Sequence, residues 1–247
     1  MAATVIRSRP CLFLAAAHST LPGWMSARES FRELLSSRIS PYLKSKGFQR
    51  RGYGFLKWVG KNCQLVYFGV NRILSDDTRV VFSVGLGTVS SRLWWFESGR
   101  IKPMKFPVPQ DWHWTSSLAA LVPDRKHDGS EDWWSIQTKQ QVSPLADDLE
   151  NSLDEYAFPA LDIHVRDEAL RDLYRSRKGG SEFQILYRLA FFLTTIGPST
   201  EIDGVLLELR GLSERLPSMG SARGYAARIE ALRKSAAMDG RQTDKRR

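Results

Sequence analysis

The sequence predicts an α+β fold: an N-terminal helix, an antiparallel meander sheet of about four to five strands, and C-terminal helices packed on one face. Three observations carry this expectation. A Ser26-x-x-Glu29 capping box opens a run in which Phe31, Leu34, Leu35, Ile39, Tyr42 and Leu43 keep helical spacing. Runs rich in β-branched and aromatic residues follow, separated by short turns. From Ser143 onward, apolar stripes at helical spacing return.

Taken in order, the first helix is expected to bend or break near Ser40, because Pro41 lacks an amide donor, and to end at Gly47. Tyr53 to Val59 turns at Gly60-Lys61-Asn62 and returns as Cys63 to Asn71. A turn at Ser75-Asp76-Asp77 leads into Arg79 to Val89, where Val80, Phe82, Val84 and Leu86 line one face. Residues 97–110 carry Pro103, Pro107 and Pro109 and are expected to form a surface loop or irregular edge. Trp112 to Leu121 is expected as a fourth strand and Trp133 to Ile136 as a short fifth, with a turn over Asp124–Asp132 between them. Ser143-Pro144 starts a helix striped by Leu145, Leu149, Leu153 and Tyr156, and another covers about Asp167 to Arg175. Gly179-Gly180 interrupts, and Ser181 with Gln184 caps a helix over Phe183 to Ile196 that is apolar nearly all round. Gly197-Pro198 stops it. Ile202, Val205, Leu206 and Leu209 stripe one last helix, and Tyr225, Ile229 and Leu232 another.

The expected organisation is a disordered leader or an over-extended start over residues 1–24, one α+β domain over 25–238, and a disordered basic tail over 239–247. Arg7 and Arg9 before the short apolar stretch Cys11 to Ala17 have a faint signal-peptide look, but Met25 directly before the capping box favours a cytoplasmic protein with its start there. No apolar run approaches the 18 or so residues that cross a bilayer, so no membrane span is expected. Cys11 and Cys63 lie in dissimilar segments without metal-ligand spacing, which argues against a disulfide framework and a zinc site; Cys63 is expected to be a small buried hydrophobe.

The net charge of +9 is uneven. Residues 1–110 hold 17 Lys/Arg against 5 Asp/Glu, residues 111–170 hold 4 against 13, and residues 171–247 hold 15 against 9. The basic first part attracts polyanions or is neutralised by the acidic middle within the fold.

Phe31 to Leu35, then Pro41-Tyr42-Leu43-Lys44-Ser45-Lys46-Gly47-Phe48, Arg51 to Phe55, Trp112-His113-Trp114 before Leu121-Val122-Pro123, Asp132-Trp133-Trp134 and Tyr156-Ala157-Phe158-Pro159 form an ordered set of phrases. This order resembles the bacterial domain of unknown function family DUF4304 over roughly residues 28–175, with the helical part at 179–238 less closely matched. The resemblance implies one α+β domain and lowers the expectation of secretion; it implies no activity, cofactor or catalytic residue.

Among chemical motifs, Gly85-Leu86-Gly87 lacks the third glycine and following helix of a dinucleotide loop, so Gly69 and Gly85 are expected to permit close packing against the neighbouring helix or a bulge. No phosphate loop, nucleophile elbow or zinc-protease motif occurs. Six of the eight tryptophans fall between residues 94 and 134, and adjacent pairs on a strand would point to opposite faces. They either seal the sheet or line an aromatic groove. Interleaved cations include Arg50, Arg51, Lys57, Lys61, Arg79, Arg92, Arg100, Lys102 and Lys105. The candidate ligand-binding set is Arg50, Arg51, Lys57, Trp94, Trp95, Trp112, His113 and Trp114; no catalytic, cofactor or metal residue is assigned. Asp111 and His113, two apart on an expected strand, would share a face, as would Asp162 and His164 if extended; a local hydrogen bond without catalytic duty is favoured for each. The functional expectation is a non-catalytic binding or protein-interaction domain. Two alternatives stay open: a nucleic-acid binder using the basic, aromatic-rich sheet, and an enzyme with a site near Asp111 and His113.

Overall fold

The computed structural model describes residues 26–99, 106–123, 133–196, 200–215 and 224–234. The leader, the Asp124–Asp132 turn, Gly197-Pro198, the basic tail, Cys11, and Arg100, Lys102 and Lys105 all lie outside the described residues.

The first helix, α1, covers residues 27–45. Ser26 caps it: its Oγ accepts from the Glu29 amide at 3.3 Å, and the Glu29 carboxylate accepts from the Ser26 amide at 2.8 Å. The helix runs through Ser40 without a break. Its α-helical first part, Ala27–Glu33, passes into a π-helical stretch, Leu34–Ile39, and resumes as Ser40–Ser45. The Ser40 amide reaches back to the Leu35 carbonyl, one residue further than in an α-helix. That widened turn makes room for the ring of Pro41 and leaves no i→i−4 bond for the missing amide to forfeit. A second helix, α3 over residues 142–164, repeats the device, with π-helical Leu153–Ala157 placed directly before Phe158-Pro159.

Among the described residues the sheet has six antiparallel strands: β1 Gln49–Arg51, β2 Gly54–Val59, β3 Asn62–Val70, β4 Val80–Val89, β5 Trp114–Ser117 and β6 Trp134–Ile136. The order is β1-β2-β3-β4-β5, and β6 shares the outer edge of β4 with β5. A two-residue turn joins β2 to β3, with Val59 opposite Asn62 and Gly60 at a positive φ of 62° that suits glycine. The expected fourth strand is shorter than its apolar run: Pro109–Asp111 forms a 3-10 turn, and only Trp114–Ser117 pairs.

Alternation divides the sheet into two faces. Phe55, Val66, Phe68, Phe82, Val84 and Leu86 join the main core, which α1 and α3 cover with Leu34, Leu35, Ile39, Leu149, Leu153 and Leu161. On the opposite face Leu56, Cys63, Leu65 and Val89 form a smaller cluster under Trp94, Trp112 and Phe106. Cys63 is fully buried there, and burial pushes its thiol up to about 12.

The segment after β4 departs most from expectation. Ser91–Ser98 is a helix, α2, so Trp94 and Trp95 do not alternate across a strand. Ser90 caps it, accepting from the Leu93 amide at 3.3 Å, and Gly99 closes it in the left-handed region. After α3 come α4 (Asp167–Arg175), α5 (Glu182–Thr195), α6 (Ile202–Arg215) and α7 (residues 224–234). The main core runs unbroken from Ala27 to Ile229. α5 is buried nearly all round, with Phe191 stacked on Phe96 at 4.7 Å and Phe192 on Tyr174 at 6.2 Å.

The charge imbalance is in part settled across this interface. Arg38 meets Asp147 at 2.6 Å, Lys46 meets Asp154 at 2.5 Å, and Arg92 lies 3.6 Å from Asp167. The basic first part and the acidic middle thus pair as α1 and α2 pack near α3 and α4.

Candidate functional site

Helix α2 has a divided surface. Leu93, Trp94 and Phe96 turn inward, whereas Arg92 and Trp95 face out, Trp95 with 50% of its surface exposed. Its start is held by Asn62, whose Oδ1 accepts from the Ser91 amide at 2.9 Å and whose Nδ2 donates to the Val165 carbonyl at 2.8 Å and to Asp167 at 3.1 Å. One half-buried amide therefore locks the β2–β3 turn to the start of α2 and to the α3–α4 junction. It also fixes where the neighbouring Lys61 and Arg92 emerge.

Between these elements lies a groove of about 840 Å³ lined by Trp58, Lys61, Ser91, Arg92, Trp94, Trp95, Phe191 and Thr195. It adjoins a narrower cavity of about 490 Å³ lined by Arg92, Trp95, Phe96, Phe191, Arg228 and Leu232, and the two share Arg92, Trp95 and Phe191. Trp58 on the rim is 40% exposed. None of the described lining residues is acidic. The Arg228 guanidinium lies 4.7 Å from the Phe96 ring and donates to the Phe96 carbonyl, closing the end of α2. A separate cavity of about 380 Å³ near the start of α1 includes Arg28, Arg32, Arg72 and Tyr53.

Behind the groove, α2 presents Glu97 to a buried polar cluster. Arg188 Nε donates to Glu97 Oε1 at 2.7 Å, and the Tyr187 hydroxyl donates to the same oxygen at 2.5 Å. His113 is 1% exposed; its Nδ1 accepts from the Ser90 amide at 2.9 Å, and its Nε2 lies 3.3 Å from Glu97 Oε2. Because Nδ1 is occupied as an acceptor, the ring's proton belongs on Nε2, and the imidazole is neutral. Burial lowers its pKa further. Burial alone would raise Glu97, but His113, Arg188 and Tyr187 outweigh it and bring the carboxyl down to about 2. Tyr174 donates its hydroxyl proton to the His113 carbonyl at 2.6 Å and lies within 3.4 Å of Arg188. The cluster ties α2, α4 and α5 to the segment before β5.

The expected site residues separate. Trp94 and Trp95 line the groove together with Lys61 and Arg92. Trp112 and Trp114 do not: Trp112 lies over Gly85 and Gly87 on the sheet, and Trp114 stacks on His164 at 4.5 Å in the main core. Gly85 therefore accommodates an indole rather than a helix or bulge. His113 is enclosed, and its carboxylate neighbour is Glu97, not Asp111, whose Oδ2 accepts from the Val108 amide at 2.9 Å. Asp162 and His164 lie on a helix and are not paired; Asp162 accepts from Gln64 Nε2 at 2.6 Å. Arg50 donates to the Gly52 carbonyl at 3.0 Å, Arg51 lies over Phe106 at 5.3 Å, and Lys57 over Phe48 at 5.7 Å, all away from the groove lining. Sequence reasoning missed Trp58, Phe191 and Arg228. The exposed end of a strand flags Trp58; nothing local flags the other two.

Among the described residues no three His, Cys, Asp or Glu side chains are placed to hold a metal ion, and no helix is long and apolar enough to cross a membrane. The fold and site define an α+β protein with an aromatic, cationic groove backed by a buried ionic cluster. The profile of the domain of unknown function DUF4304 matches residues 39–163, half of the chain, and the chain belongs to that family. No match is found for it among curated proteins or solved structures. The matched span supplies Trp58, Lys61, Arg92, Trp94 and Trp95, whereas Phe191 and Arg228 come from helices beyond it. The groove thus lies where the family part meets the C-terminal helices.

Proposed function

We propose that this protein is a non-catalytic binding domain, folding as one unit in a bacterial cytoplasm, and that its ligand occupies the groove between Trp58, Trp95 and Arg92. One observation carries the reading: half-exposed indoles and cationic side chains converge on one concavity with no carboxylate in its described lining, its position fixed from below by Asn62 and from behind by Glu97. A groove of about 840 Å³ falls within the range that takes small ligands or a side-chain cluster of a partner. A free, buried Cys63 fits a reducing compartment. The enclosed, backbone-bonded His113 withdraws support from an enzymatic site at Asp111 and His113.

Thermal-shift screening with a mixed library of aromatic acids, nucleotides and peptides tests the proposal. Hits should raise the melting temperature of the native chain and lose that effect in Trp95→Ala. If no compound shifts the melt, or if hits act equally on Trp95→Ala, the groove is not the binding site.

A further inference from the structure

We infer that the occupant of this groove is a nucleoside phosphate, free or as one unit of a single-stranded nucleic acid. The inference rests on the binding-domain reading above and specifies its ligand. Four features lead to it.

The accessible apolar surface is flat. Trp58 and Trp95 expose 40% and 50% of their surfaces, and both line the wider part of the groove. An indole left partly in water offers a stacking surface for another planar ring, and every base supplies one. The lining carries charge of one sign; Asp167, 3.6 Å from Arg92, stands outside it. Lys61 and Arg92 line the wide part and Arg228 the narrow part, with no described carboxylate in either lining. Lysine and arginine beside stacking surfaces suit a phosphate attached to a ring system.

The cations come from different elements with the indoles between them. Lys61 sits in the β2–β3 turn, Arg92 in the first turn of α2 and Arg228 on α7, while Trp95 borders both cavities. A ligand stacked on Trp95 therefore has cationic side chains on more than one side. Finally, the backbone offers little competition: the Ser91 amide already donates to Asn62 and the Leu93 amide to Ser90, so side chains would do the reading. That arrangement favours a compact anionic aromatic ligand over a peptide, whose own amides need partners.

Isothermal titration calorimetry on the full chain at low salt tests this with adenosine, adenosine monophosphate, uridine monophosphate, a single-stranded hexanucleotide, inorganic phosphate and an acidic aromatic peptide. The monophosphates should bind, adenosine at least about tenfold more weakly, in keeping with the loss of charge-assisted hydrogen bonds. Trp95→Ala should weaken monophosphate binding about 5- to 150-fold. Trp95→Phe should retain most of it, which guards against a folding defect. Lys61→Ala should weaken it about tenfold, and Arg32→Ala in the separate cavity should leave it unchanged. A hexanucleotide tighter than the monophosphates, with steep salt dependence, identifies the strand as the source; equal affinity identifies the free nucleotide. Binding of the peptide or of phosphate alone, with no nucleotide binding, overturns this inference but leaves a binding groove. Binding of none of the probes overturns it too, while the wider library screen still decides the binding-domain reading.

Discussion

Arg188 on α5 and Glu97 on α2 meet at 2.7 Å, with only 5% and 17% of their side chains exposed. Two charges removed from water this far persist because each is multiply satisfied. Glu97 also accepts from Tyr187, and Arg188 also reaches Tyr174 and lies over its ring at 5.8 Å. The pair fixes α2, and so Trp95, relative to the C-terminal helices.

Breaking that pair from one side strands a buried charge. Arg188→Met should cost about 3–5 kcal/mol of unfolding free energy in urea titrations, while Arg188→Met with Glu97→Gln should cost clearly less than the sum of the single changes. Additive losses would mean that the two residues act independently.

Stability should fall with pH in two stages. His113 is neutral in the fold and held below its ordinary value of 6.5, so the unfolded chain takes up the proton first as pH drops below 6.5, and stability declines. Glu97 titrates near 2 rather than its ordinary 4.5, so the stability its charge provides is present above 4.5 and is lost as pH falls toward 2. Urea midpoints measured across this range should show His113→Gln flattening the upper stage and Glu97→Gln the lower one.

Gly87 and Gly85 should respond differently to alanine. A Cβ at Gly87 would fall 2.4 Å from the Trp112 ring, whereas one at Gly85 would meet it at an ordinary 3.6 Å. Gly87→Ala should cost about 1–3 kcal/mol and shift tryptophan emission as Trp112 is displaced. Gly85→Ala should leave the emission unchanged.

The tryptophans should divide by position. Trp114, buried against His164, should cost about 3–5 kcal/mol as Trp114→Ala, whereas the outward-facing Trp95→Ala should cost under about 1 kcal/mol by thermal denaturation. Comparable losses would mean that Trp95 is a core residue.

Much of the architecture was legible because burial is periodic. The Ser26 and Ser181 capping boxes, the apolar face Val80, Phe82, Val84 and Leu86 of β4 and the all-round apolar character of α5 each mark their elements locally. Helix α2 was misread because Trp-Trp favours strands, although Ser90 and Gly99 bracket it with cap signals. Pro41 and Pro159 suggest breaks, yet a widened turn before each absorbs the ring, and no simple periodicity encodes that turn. The groove was half legible. Arg92, Trp94 and Trp95 lie close in sequence, but Lys61, Phe191 and Arg228 join them only through tertiary packing. His113 pairs with Glu97 rather than Asp111 for the same reason: α2 brings Glu97 to the segment before β5, which no local spacing reveals.

The most direct test follows the indole N–H resonances by ¹⁵N NMR while adenosine monophosphate is added. Saturable shifts at Trp58 and Trp95, with Trp114 and Trp134 unmoved, are the result expected of the groove. Shifts confined to Trp112, Trp114 or Trp134, or none at all, would contradict a nucleoside phosphate in that groove.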